Sequence, residues 1–143
     1  MLPSSGLAVR PSPIDGRGCF ASRLFTARKK IAEYTGELIT TAEAERRARG
    51  RRYLRVCAIN DTWSIDGALG GNATAYMNHS CEPNAFMRTH GGRLLFFALR
   101  DIAPGEEITV DYVRTYHSDK KRCACGAPKC RGTINKPLRF ARV

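Results

Sequence analysis

The chain has 143 residues, 43% hydrophobic and 26% charged, and its 24 Lys and Arg against 13 Asp and Glu give a formal net charge of +11. That length suits one domain whose core needs no disulfides, and the composition excludes wholesale disorder. No apolar run nears the roughly 18 residues that span a bilayer, and "MLPSSGLAVRPSP" lacks the apolar centre of a secretory signal, so the chain reads as soluble and intracellular, with no membrane partner. The charge favours polyanions such as nucleic acid, or a complex containing it, without naming the partner.

In chain order, short strand-like runs begin at Ile31 ("IAEYTG"), Tyr53 ("YLRVCAI"), Trp63 ("WSID"), Asn84 ("NAFMR"), Arg93 ("RLLFFAL") and Glu107 ("EITVDY"). Turn residues such as Asn60-Asp61, Gly91-Gly92 and Pro104-Gly105 punctuate them, as in a meander of short strands. The runs flanking His90-Gly91-Gly92 predict a hairpin. One helix interrupts this mostly β pattern. Thr40 as N-cap and Glu43 three residues on form a capping box, and "TAEAERRAR" continues to Gly50 as a stop. Glu43 to Arg47 and Glu45 to Arg49 have the favourable acid-before-base spacing. With almost no apolar stripe, this helix is expected on the surface. Its Arg46, Arg47, Arg49, Arg51 and Arg52 form either a polyanion contact or a solvated face. From His117 the composition shifts to Lys, Arg, Cys and Gly, which places a boundary near Tyr116: a core over residues 1–116 and a cysteine-rich tail over 117–143.

Three of the six cysteines, Cys123, Cys125 and Cys130, lie within "CACGAPKC". Such crowding fits a reduced compartment and a metal site better than a disulfide framework. A structural Zn2+ takes four ligands in a tetrahedron, and a short polar tail that cannot bury a core would gain its order from the ion. Spacing leaves the fourth ligand open among Cys81, Cys19, Cys57 and the histidines. Cys19 and Cys57, alone among apolar neighbours, read as buried fillers, and His90 and His117 as structural or solvated.

Five segments in register resemble the SET-domain protein lysine methyltransferases. "GRGCFA" at Gly16–Ala21 and "YTGE" at Tyr34–Glu37 are similar to two family motifs. "GNATAYMNHSCEPNA" from Gly71 carries the Asn-His-Ser-Cys-x-Pro-Asn signature, and "GEEITVDY" from Gly105 and "CACGAPKCRG" resemble the catalytic-tyrosine and post-SET segments. The resemblance implies small curved sheets with a knot-like threading, in which the segment of Asn78 and His79 is crossed by the chain near Tyr112. It also implies that Cys81 joins Cys123, Cys125 and Cys130 on a structural zinc, folding the tail down as one wall of a lysine channel.

By the same resemblance, the chain would move methyl groups from S-adenosylmethionine to a lysine of a protein, with histone or another chromatin-like protein as the implied substrate. Tyr112 is then the catalytic tyrosine, and Tyr34 lines the channel. Asn78 and His79 hold the cofactor, with Tyr76 packed nearby and the backbone of Arg17 and Gly18 on its polar portion. Two positions depart from the family pattern. Ala75 stands where an arginine on the cofactor side is usual, and Val110 where an aromatic residue commonly limits the number of methyl groups, so room for di- or trimethylation is expected. The chain begins almost at the first glycine motif, which suggests a minimal enzyme whose substrate choice rests on the insertion from Thr41 to Tyr53 and on the tail. The competing reading is a non-catalytic, zinc-stapled SET-like module that holds nucleic acid or histones. Localisation is open between chromatin or nucleus and a bacterial cytoplasm.

Overall fold

The computed structural model describes residues 6–49, 51, 55–111, 125–128 and 130. Strands β1 (Leu7–Pro11) and β2 (Arg17–Ala21) form an antiparallel hairpin, and β10 (Glu107–Val110) adds to the free edge of β2. The two-residue strand β7 (Asn78–His79) then pairs parallel to β10, giving the order β1-β2-β10-β7. Small residues let β2 lie between two neighbours: Gly18, Cys19 and Ala21 are all buried.

A second sheet has β9 (Arg93–Ala98) between β3 (Lys30–Tyr34) and β8 (Ala85–His90). The period-two pattern of β9 puts Leu94, Phe96 and Ala98 inward, none more than 2% exposed. His90 pairs with Arg93, so the predicted hairpin closes on Gly91 and Gly92 alone. Both glycines have positive φ, 58° and 78°, as a turn matching strand twist requires.

The third sheet, β4-β6-β5, comprises Glu37–Thr40, Trp63–Asp66 and Val56–Ala58. The helix α1 (Thr41–Ala48) covers one of its faces. As predicted, the Thr40 side chain caps the helix by accepting from the Glu43 N–H at 3.1 Å. Contrary to expectation, α1 has an inward stripe: Ala44 and Ala48, one turn apart, pack with Ile39 and Val56 in a small second core. It was hard to read because two alanines give little contrast. Gly50, the expected stop, lies outside the described residues, and Arg49 is the C-cap. Strands β1, β2, β4 and β7 were not predicted as strands. The run expected from Tyr53 is a strand only from Val56, with residues 52–54 outside the description. The fold class is therefore mostly β, in small sheets with one short α-helix among the described residues. The threading expected at Tyr112 also falls outside the described residues. Among those residues, no helix is long and apolar enough to cross a membrane.

Candidate active site and metal centre

The site is built where β7 meets β10. Asn78 pairs with Thr109 and His79 with Val110, and the ladder continues as the Ser80 N–H donates to the Val110 carbonyl at 3.0 Å. Asn84, the last residue of the asparagine-histidine block, locks this register. Its amide donates to the Glu107 carbonyl at 2.8 Å and accepts from the Thr109 N–H at 2.9 Å. Asn84 is only 5% exposed, so leaving these groups unpaired would carry the full cost of burying them.

Asn78 faces the loop between β1 and β2. Its Nδ2 lies 2.9 Å from Glu107 Oε2, 3.1 Å from Ser12 Oγ and the Asp15 carbonyl, and 3.2 Å from the Arg17 carbonyl. Two N–H bonds are thus shared among four acceptors, and one side chain holds the backbone of the first glycine segment. Ser12 Oγ donates to the Glu107 carboxylate at 2.8 Å and accepts from the Ile14 N–H at 2.9 Å. A Cβ at Gly18 would run into that same carboxylate, which is why this position has no side chain. Burial first, and the nearby Glu107 charge second, push the Cys19 thiol up to about 12. Cys19 therefore stays a neutral packing group, as expected. Cys57 is half-buried, its thiol 3.3 Å from Met87 Sδ.

The remaining predicted residues surround this seam. Tyr34 is 6% exposed; its hydroxyl donates to the Arg55 carbonyl at 2.7 Å, and its ring meets Phe96 edge-on at 5.9 Å. Gly67 packs against the hydroxyl so closely that a Cβ there would lie 2.7 Å from it. Its N–H donates to the same Arg55 carbonyl at 2.6 Å, so one carbonyl fixes both the loop and the tyrosine. The Arg55 guanidinium lies over the ring of half-buried Tyr76, 4.5 Å from its centroid. Arg17 is exposed, and Ala75 and Val110 are buried. Tyr112 lies outside the described residues; Asp111 immediately precedes it.

At the other end of β7, the His79 side chain is 1% exposed, with Nε2 3.3 Å from Cys81 Sγ and Nδ1 3.5 Å from Asp111 Oδ1. The sulfurs of Cys81, Cys125 and Cys130 all lie within 4.8 Å of one another. Tetrahedral Zn–S bonds of about 2.3 Å place sulfurs about 3.8 Å apart, so the trio fits one ion with little movement. The structure thus brings the mid-chain thiol to the tail thiols. Cys123, the expected fourth ligand, lies outside the described residues.

Sequence reading missed the strongest charge cluster, which sits under α1. The Asp66 side chain is fully buried and receives Arg47 at 2.9 Å and both terminal nitrogens of Arg51, at 2.9 and 3.1 Å. Burial alone would raise this carboxyl, but the Arg51 bonds, the Ala68 N–H and Arg47 overcome it and hold the group below its ordinary range. Arg47 also reaches Glu37 and Glu43 at 2.8 Å each. Glu43, bonded by Arg46 and Arg47, is held down to about 2. Arg47 and Arg51 are thus structural partners of a buried carboxylate. Arg52, in the same predicted basic group, lies outside the described residues.

The SET domain family matches residues 16–113. The histone-lysine N-methyltransferase trithorax of Drosophila virilis is 34% identical over 137 residues, covering 90% of this chain and 4% of the relative. The Set2 histone-lysine N-methyltransferase of Drosophila melanogaster is 42% identical over 130 residues, 83% of this chain and 6% of the relative. In Schizosaccharomyces pombe, a histone-lysine N-methyltransferase described as H3 lysine-4 specific is 37% identical over 136 residues, 87% of this chain and 15% of the relative. The chain belongs to the SET-domain family. It spans a small fraction of the length of these relatives.

Proposed function

We propose that this chain is an S-adenosylmethionine-dependent protein-lysine N-methyltransferase acting on a histone or another basic chromatin protein, with a structural zinc ion in its tail. The observation that carries this reading is the parallel β7–β10 seam. It sets Asn78 and His79 beside the strand leading into Tyr112 while Cys81 reaches the tail cysteines. The donor set suits a zwitterionic nucleoside cofactor: the exposed Arg17 guanidinium for a carboxylate, backbone groups at Gly18, Asn78 and His79, and the Tyr76 ring for stacking. The cofactor, when bound, supplies an electrophilic methyl group on a sulfonium centre.

A substrate lysine, with an ordinary pKa of about 10.4, carries no lone pair at neutral pH. Removing it from water among aromatic walls disfavours the ammonium form. Tyr34 fits such a wall, buried against Phe96 and Gly67. Because its proton is committed to the Arg55 carbonyl, its oxygen would meet an incoming amine as an acceptor and orient that nitrogen. Tyr112 would be the catalytic hydroxyl on the opposite side. Alignment of two reactants in this way contributes roughly 7 to 11 kcal/mol. Val110, smaller than an aromatic residue, favours di- or trimethylation. The thiolates of Cys81, Cys123, Cys125 and Cys130 would hold zinc in a closed four-ligand site that fastens residues 117–143 over the channel.

The reading is tested by incubation with radiolabelled S-adenosylmethionine and a mixture of histones and basic peptides. Label transfer is expected, with loss of about 100-fold or more in Tyr112→Phe. Transfer undiminished in that variant removes Tyr112 from the mechanism. Lack of any transfer favours the non-catalytic module, for which the net charge of +11 and exposed Arg23, Arg28, Lys29 and Lys30 would offer a nucleic-acid contact. A chromatin location, or a bacterial cytoplasm, follows from whichever substrate is labelled.

A further inference from the structure

His79 does more in this structure than fill the core. Its ring touches a metal-site sulfur with one nitrogen and, with the other, the residue that follows β10. Cys81 Sγ lies 3.3 Å from Nε2 and Asp111 Oδ1 lies 3.5 Å from Nδ1, while the ring itself is 1% exposed. The backbone is fixed as well, since His79 is paired with Val110 and the next N–H bonds to Val110. A ring buried and contacted on both nitrogens has little room to turn away when the sulfur shifts. Close-packed surroundings pass such a shift on.

We propose that His79 is a positioning residue that couples occupancy of the Cys81–Cys125–Cys130 metal site to the conformation of β10 and Asp111, the backbone leading into Tyr112. This rests on the reading that these thiols hold zinc. A thiolate bound to a metal still accepts hydrogen bonds, and groups that contact ligand atoms from behind hold the ligands in place and alter metal affinity. The coupling must be reciprocal: if zinc orders residues 109–111 through the ring, removing the ring link weakens zinc. The tail would then act on the reacting centre through β7 as well as by covering it. Loss of zinc would disturb residues on the far side of the imidazole, although none of them is a ligand.

The test uses the full chain and two readouts other than methyl transfer. Zinc retention is measured by competition with a chromophoric chelator, and amide hydrogen exchange is followed at Thr109, Val110 and Asp111 with and without zinc. In the wild-type chain, stripping zinc should speed exchange at these amides about tenfold. In His79→Gln, zinc should bind about 10- to 100-fold more weakly, and the zinc dependence of exchange should disappear. Asp111→Asn, which keeps the ring and the sulfur contact but removes the charge beside Nδ1, should lower the zinc dependence of exchange at residues 109–111 and the zinc affinity by matching factors, both smaller than in His79→Gln. It provides the decisive comparison where His79→Gln fails to fold by circular dichroism. Wild-type binding of zinc with exchange at 109–111 indifferent to the ion overturns the coupling, as does a folded His79→Gln that retains zinc within about twofold of wild type. No zinc binding by the wild-type chain overturns the ligand reading itself, whereas absence of methyl transfer leaves both readouts standing.

Discussion

Two regions of this molecule hold a carboxylate out of full contact with water, Asp66 buried and Glu107 half-buried, and they partner it by different means. Under α1, Asp66 is surrounded by cations: two arginines, one of them bidentate, converge on a side chain with no exposure. At the β7–β10 seam, the hydrogen-bond donors to the Glu107 carboxylate among the described residues are neutral, the Ser12 hydroxyl and the Asn78 amide. The first arrangement ties the helix and the residues after it to the end of β6, the central strand of the third sheet. The second holds its carboxylate by hydrogen bonds from neutral groups, in a polar crevice lined by the Ser12, Asn78 and Glu107 side chains. Charge in this protein serves architecture on one side, and hydrogen bonding serves the site on the other.

The contrast is broken most severely by Asp66→Ala. Two guanidiniums would then lose their common anion, and a loss of about 3 kcal/mol is expected, the low end for a broken buried pair because both arginines keep some contact with water. Urea denaturation measures it. The sign of the pH dependence follows from the lowered Asp66 carboxyl: its contribution is present above the unfolded-state value near 3.9 and is lost as pH falls through the folded one. Acid-induced loss of stability below about pH 4 should therefore be shallower in Asp66→Asn than in the wild type.

On the site side, Gly18→Ala drives a methyl group into the Glu107 carboxylate. It should cost about 2 kcal/mol and, under the proposed function, also raise KM for S-adenosylmethionine, because the loop held by Asn78 must move. An unchanged KM with reduced stability would confine Glu107 to a structural role. The smallest effect belongs to the cap between the two regions. Thr40→Ala should cost about 1 kcal/mol, read as a shift in the urea midpoint, and should leave KM for the cofactor unchanged.

How much of this was legible in the sequence depended on whether the signal was local. The Gly91-Gly92 hairpin and the Thr40 cap need only neighbouring residues, and both are present. The Asn-His-Ser-Cys block was legible through its resemblance to a family, and the meeting of Cys81 with Cys125 and Cys130 agrees with it. Asp66 was not legible. Helix spacing rules assign Arg47 to Glu43, a pair that does form, but cannot see a third partner 19 positions away on a strand. Nor could spacing reveal that Ser12 and Glu107, 95 positions apart, share one hydrogen-bond network with Asn78. Strand β2 was missed because Gly18 and Cys19 are small, and it is a strand because its neighbours leave room for nothing larger.

The insertion of β10 between β2 and β7 has a consequence during synthesis. As the polypeptide emerges from the ribosome, β2 is complete long before β10, with β1 on one side and a bare edge on the other. That edge waits until residues 107–110 have been made. Exposed strand edges recruit foreign strands. That edge therefore needs shielding until β10 is made, and the crevice at the β7–β10 seam forms only then.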